Sequence, residues 1–426
     1  MIETGFQRGQ WNRIRLHVLP TKRFKTFAIA LYAGIPLSES TVTPAALIPF
    51  VLRRGTASTP ETKAFRERLD DMYGAGFGFD VLKRGDAQIV QFRMDVIHDQ
   101  FVSSDESLLD AALAFLGEVI TEPALEDGRF RSKYVDAEKK TLQKRLEAIV
   151  NDKIRYAAER CLEEMCANEP YRLHPLGWIG DLSAITPESL MEYYRSWLAS
   201  ATFDLYVVGD TSLEEANGFV SRSFKAPAGQ PADYPVPDIR PASGEPKHVI
   251  ERMEVGQGKL NMGLRANVSY ADDDYPAALL YNGILGGYPH SKLFVNVREK
   301  ASLAYYAASR YDGHKGIITI QSGIETGNYD KANTIIAEQL EQLRQGDIQE
   351  LVLTQTQAMI RNQLLEIQDS AFEMIGFDFN SVLSGRTRTT AGLLQDVEKA
   401  SVADVVRVAQ RVQLDTIYFL RDEKEG

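Results

Sequence analysis

Two kinds of apolar spacing alternate along the chain. Residues 27–33 (FAIALYA) and 259–265 (KLNMGLR) show the two-residue period of a half-buried strand, and each leads into apolar positions at helical spacing. The first of these helices is capped at Thr43-Pro44, and the second begins near Tyr275-Pro276. The two halves also close alike. Thr186-Pro187-Glu188 offers an N-cap with proline at the first helical position, an amphipathic helix runs to Leu198, and 203–210 follows as a buried strand. In the second half Ser401 and Asp404 form a capping box, the helix runs to about residue 412, and 416–421 is the strand. Between the halves, 225–247 (KAPAGQPADYPVPDIRPASGEPK) has no period and reads as an extended linker. The recurrence predicts two tandem domains of one topology, 1–224 and 248–426, joined by 225–247. Helical spacing is grouped near 101–120, 128–167 and 329–368. The expected class is therefore α+β, each domain a mostly antiparallel sheet with helices on one face.

Composition narrows the possibilities. A chain of 426 residues suits two cores, and 44% hydrophobic with 25% charged residues is ordinary for a globular protein. The net charge of −11, with no basic block, excludes nucleic acid as the expected partner. No run approaches the ~18 apolar residues of a membrane span. Residues 1–5 lack a basic region followed by an apolar run, so no secretory leader is expected and the expected location is cytoplasmic. Cys161 and Cys166, five apart in a helical stretch, read as two reduced thiols.

The candidate chemistry begins with what is missing. The histidines are His17, His98, His174, His248, His290 and His314, and no two are spaced to share one turn of helix. The first helix, 43–56, reads TPAALIPFVLRRGT. It resembles the inverted zinc motif of the pitrilysin/insulinase peptidases, mitochondrial processing peptidase among them, whose pattern is G-x-A-H-x-x-E-H-x-x-F-x-G-T. Aligned on Gly55-Thr56, Ala46 and Phe50 stand at the two zinc histidines and Pro49 at the catalytic glutamate. Methyl, phenyl and pyrrolidine groups have no lone pair for zinc. On residues alone this is an apolar packing helix ending in Arg53 and Arg54, where cations suit the helix dipole. The segment 136–147 (DAEKKTLQKRLE) resembles the family helix that bears the third ligand. Glu138 matches its supporting glutamate and Arg145 the ligand position, with Glu147 the other alignment. A guanidinium only donates, so Arg145 cannot ligate a metal. Two readings of Arg145 stand: it fills the vacated site and restores part of the lost positive charge, or it is an exposed arginine.

The second half keeps what the first has lost. Residues 285–305 (LGGYPHSKLFVNVREKASLAY) resemble the family's LGG…S-x-L-F-x-x-x-R-E-x-x-x-L-A-Y. The resemblance makes Arg298 and Tyr305 the pair that grips the substrate backbone beside the scissile bond. His290 reads as a turn residue or an extra contact. His174-Pro175, Gly177 and Ile179-Gly180 match a further family segment in which the histidine is structural. The glycines of 69–79 (LDDMYGAGFGF) have no following Lys-Ser/Thr and make no phosphate loop. The resemblance implies a subunit with no catalytic residue or cofactor of its own, active only beside a homologous, zinc-bearing peptidase subunit. This chain would hold an unfolded peptide. The alternative is a non-enzymatic peptide-binding or scaffold protein of the same descent, like the core subunits of the respiratory bc1 complex. A homodimeric enzyme with unrecognised metal ligands is disfavoured by the histidine spacing.

Overall fold

A computed structural model describes residues 5–103 and 106–423. The first four positions, read above for a leader, lie outside the described residues. In chain order the strands of the first half are β1 (Gln7–Trp11), β2 (Ile14–Pro20), β3 (Thr26–Pro36), β4 (Gly76–Arg84), β5 (Ala87–Ile97), β6 (Leu125–Glu126), β7 (Arg129–Phe130) and β8 (Thr202–Gly209). The second half adds β9 (Lys247–Met253), β10 (Gly258–Arg265), β11 (Ala304–Asp312), β12 (Ile317–Ile324) and β13 (Gln413–Asp422). The helices preceding the linker are α1 (Val42–Leu52), α2 (Thr62–Asp71), α3 (Leu108–Thr121), α4 (Ser132–Asn151), α5 (Lys153–Met165), α6 (Pro187–Ser200) and α7 (Leu213–Ser223). After it come α8 (Tyr275–Asn282), α9 (Tyr329–Gln345), α10 (Glu350–Glu366), α11 (Ala371–Ser384), α12 (Thr390–Lys399) and α13 (Val402–Arg411). Among the described residues no helix is long and apolar enough to cross a membrane.

The class is α+β. One sheet has six strands in the order β1-β2-β8-β3-β5-β4, the other five in the order β11-β12-β10-β13-β9. All pairings are antiparallel except β2–β8 and β13–β9. Strand for strand, β4-β5-β3-β8-β2 and β11-β12-β10-β13-β9 follow one scheme, down to the parallel pair at one side. The central strands β3, β8 and β10 are buried on both faces; β3 and β8 carry near-continuous apolar runs, whereas β10 buries Lys259, Asn261 and Arg265 as well. In the second sheet's unit, Leu260, Met262 and Leu264 of β10 join Ile318 and Ile320 of β12 and the inner faces of α8, α9 and α13 in one core.

The chain divides into two compact units that are not continuous in sequence. The first holds the chain up to Leu146, Leu173–Pro235 and Ser370–Gly376; the second holds Glu147–Arg172, Val236–Asp369 and the chain from Phe377. Helix α5 thus precedes the linker but belongs to the second unit. Its Ala157 and Cys161 pack with Tyr418 and Leu420 of β13. A buried ionic cluster fixes the segment that follows. Glu169 lies 2.6 Å from Arg265 and 2.8 Å from Lys315, both almost wholly buried, and Arg265 also reaches Asp415 at 2.9 Å. Burial alone would raise the Glu169 carboxyl, but the two cations outweigh it and hold it below the usual range.

Several local expectations change. Helix α1 starts two residues early, at Val42 with Thr41 as N-cap, and Thr43 does not cap it: its hydroxyl donates to Asp181 at 2.6 Å and accepts the Trp178 N–H. The stretch read as helical from residue 128 opens instead with the β6–β7 hairpin, whose turn places Asp127 and Gly128 at positive φ. It then breaks at Asp152, whose carboxylate caps α5. Positive φ at Gly346 separates α9 from α10. The linker has no regular structure, yet Tyr234 is fixed: its hydroxyl donates to Asp204 at 2.7 Å and its ring fills the space left by Gly34.

Candidate functional site: a filled zinc pocket and an open grip

Helix α1 is apolar all round and therefore buried all round. Ala46 and Phe50 have no exposed surface, and Pro49 is buried in mid-helix. The Phe50 ring meets Phe79 of β4 edge-on at 4.8 Å between centroids. The Arg145 guanidinium sits over its face, 4.8 Å from the centroid, with Arg53 at 5.8 Å. Arg53 also lies 5.5 Å from Phe79. Glu138 is wholly buried; Arg54 Nε donates to it at 2.5 Å and Arg53 Nη2 reaches it at 3.5 Å. Arg145 is exposed apart from this ring contact, and Glu147, the alternative alignment, is exposed as well. A phenyl ring clasped by guanidinium groups thus stands where the family motif calls for imidazoles.

Zinc does not fit this arrangement. The one carboxylate at hand, Glu138, is bound by two arginines, and a divalent cation would face their positive charge across a phenyl ring. Among the described residues no three His, Cys, Asp or Glu side chains are grouped as metal ligands. The neighbouring segment 174–180 is structural. His174 accepts the Leu176 N–H through Nδ1, Gln88 donates to the Pro175 carbonyl at 2.7 Å, and Gly177 at φ +76° lies so close to Thr43 that a Cβ would clash.

The retained pair sits in irregular backbone. One π-helical turn spans Gly283–Gly287 and a second spans Phe294–Lys300, on either side of the Tyr288–Lys292 stretch. Gly286 packs so tightly on Ser309 of β11 that a Cβ would lie 2.5 Å from its backbone nitrogen. Arg298 lies in the second π-turn, exposed, its guanidinium 4.6 Å over the Phe294 ring. The Leu303 N–H donates back to the Val297 carbonyl at 3.1 Å, folding the helix end against the start of β11. Tyr305 is 66% exposed and stands at a β-bulge: Ala304 pairs with Ile324 and Tyr306 with Gly323, leaving Tyr305 unpaired. Strand β11 is an edge strand, hydrogen-bonded only to β12. His290 is not free for a ligand, since its Nε2 meets Thr356 Oγ1 at 2.9 Å, and burial lowers its pKa.

Arg298 thus lies near a helix end and Tyr305 on the strand that follows. The π-turns and the bulge carry no residue signature in the sequence, and neither does the pairing of Arg53 and Arg54 with Glu138.

Comparison with known proteins gives this combination a family. The profile described as "Peptidase M16 inactive domain" matches residues 184–360, which span the grip segment. A Bacillus subtilis (strain 168) protein named "Probable inactive metalloprotease YmfF" is 40% identical over 412 residues, 95% of each chain. A conserved protein from Enterococcus faecalis V583 has a crystal structure with TM-score 0.93 at 30% identity, covering 99% of this chain and 100% of that one. The crystal structure of a peptidase M16 inactive domain from Pseudomonas fluorescens shares the fold at TM-score 0.77 and 16% identity, covering 97% and 98%. With a relative this similar over nearly its whole length, the chain belongs to the M16 metallopeptidase family.

Proposed function

We propose that this chain is the substrate-gripping subunit of a two-subunit M16 peptidase whose zinc is carried by a homologous partner. One observation carries the reading: the zinc-ligand positions are filled by buried apolar groups and guanidinium, while Arg298 and Tyr305 stand exposed beside an open strand edge. The unpaired edge of β11 can accept an extended peptide as an added strand, with main-chain hydrogen bonds giving affinity without sequence selectivity. The bulge turns the Tyr305 phenol away from the regular ladder, and Arg298 makes no ion pair with a described residue, so both keep their donors for a ligand. A phenol and a guanidinium directed at a peptide carbonyl stabilise the oxyanion that develops on hydrolysis. Zinc in the partner would supply the activated water. The two free buried thiols, Cys161 and Cys166, suit a reducing compartment, and the cytoplasm is the proposed location.

The test is turnover of an unstructured peptide by this chain mixed with a zinc-bearing M16 homologue from the same organism. Arg298→Ala and Tyr305→Phe are each expected to lower kcat by about 100-fold, the scale seen when one oxyanion donor is removed. Turnover unchanged by both substitutions would favour a scaffold role.

A further inference from the structure

The filled zinc pocket leaves an electrostatic remainder. Two guanidiniums, those of Arg53 and Arg145, lie over Phe50, while Arg53 and Arg54 share one carboxylate, Glu138. Arg54 is committed to that carboxylate at 2.5 Å and Arg53 reaches it only at 3.5 Å. Arg145 makes no ion pair or hydrogen bond with a described residue. Covering an aromatic ring requires no charge; a leucine or methionine at 145 would do it. A stacked guanidinium, however, uses its face on the ring and leaves its rim of N–H donors in the plane, a fork that matches a carboxylate with two parallel hydrogen bonds. The same helix presents the exposed Lys140 and Lys144 together with the exposed Asp136 and Glu147, in a chain of net charge −11. Phe79, which the Phe50 ring meets edge-on, belongs to β4, an edge strand of the six-stranded sheet.

We propose that Arg145, with Arg53, forms a carboxylate-binding site on the face of Phe50 that selects peptides carrying an acidic side chain or a free C-terminus. The proposal rests on the reading of this chain as a peptide binder; it adds a substrate class and assigns a use to the residues that replaced the metal site. The overall negative charge of the chain disfavours acidic ligands elsewhere, so a preference for them requires a local positive site.

The test is equilibrium binding of the purified full-length chain to three fluorescein-labelled dodecapeptide pools, read by anisotropy. The first is randomised without Asp or Glu and C-terminally amidated, the second is the same pool as the free acid, and the third is amidated with one central Asp or Glu. The site predicts that the second or third pool, or both, bind about tenfold tighter than the first, the ratio expected of one charge-assisted pair. Which of the two shows the preference identifies the carboxylate. Arg145→Gln is expected to erase the preference while leaving affinity for the neutral pool unchanged, Arg145→Lys to keep part of it, and Arg298→Ala to leave the ratio intact. Equal affinity for all three pools, or a ratio untouched by both Arg145→Gln and Arg53→Gln, overturns the carboxylate site alone. Failure of every pool to bind overturns it together with the peptide-binding reading.

Discussion

Phe50 is enclosed by aromatic and cationic neighbours. Its ring is wholly buried between Phe79 and two guanidiniums. Phe50→Ala should leave a cavity and cost about 3–5 kcal/mol, seen as a lowered urea midpoint of the first unit. A second residue carries an acid sensitivity. Asp204 on β8 is wholly buried and accepts hydrogen bonds from Arg15 at 2.8 Å and 3.0 Å and from Tyr234 at 2.7 Å, and pairs with His17 at 2.7 Å. Burial alone would raise its carboxyl, but the bonds from His17 and Arg15 outweigh burial and hold it below the usual range. Because the folded-state value is depressed, the stabilisation is complete above the unfolded value of about 3.9. It fades as pH falls below that value and is lost once pH passes the depressed one. Asp204→Asn should cost roughly 3 kcal/mol at pH 7 and flatten the loss of stability between about pH 5 and pH 2, measured by thermal melting across that range. The loss of the zinc donors could be seen from Ala46, Pro49 and Phe50 alone, because donor chemistry is a property of residue type. What replaced the metal could not, because the positions of Arg53, Arg54 and Arg145 depend on tertiary packing.

At the scale of elements, strands and capped helices were the legible part. The apolar run of β3, the N-cap at Thr186 and the capping box of Ser401 with Asp404 have local signatures, and both caps form, Thr186 in a box with Ser189 that the residue types did not announce. The bulge at Tyr305 and the π-turn bearing Arg298 were not legible: each is a one-residue shift in hydrogen bonding with no signature in residue type. Nor did spacing reveal that α5 completes the second sheet's unit. Its amphipathic pattern shows that a face is buried, not against what. That attachment depends on Glu169. Glu169→Gln would leave Arg265 and Lys315 buried with too little negative charge, at a cost of about 3–5 kcal/mol. Backbone amides of residues 153–165 should then exchange markedly faster in hydrogen–deuterium exchange, while β3 and β8 keep their protection.

For the molecule as a whole, one sheet scheme is used twice, and the chain divides into two compact units, the second with a large apolar core of its own. The units are interleaved along the chain, however, and this sets how they can be separated. A fragment of residues 248–426 alone lacks α5 and Glu169, exposing Tyr418 and removing the carboxylate that Arg265 and Lys315 share. Arg265 keeps Asp415 within the fragment, so the uncompensated charge is that of Lys315. The fragment should show weak near-ultraviolet circular dichroism and broad melting, and regain a cooperative transition when residues 147–172 are supplied as a second chain. The central claim concerns where the hydrolytic metal resides. Its most direct test is equilibrium dialysis of the untagged, purified chain against micromolar zinc, followed by elemental analysis and a peptide hydrolysis assay on the same sample. The account predicts far less than one zinc per chain and no hydrolysis; one tightly held zinc per chain with peptide cleavage by this polypeptide alone would contradict it.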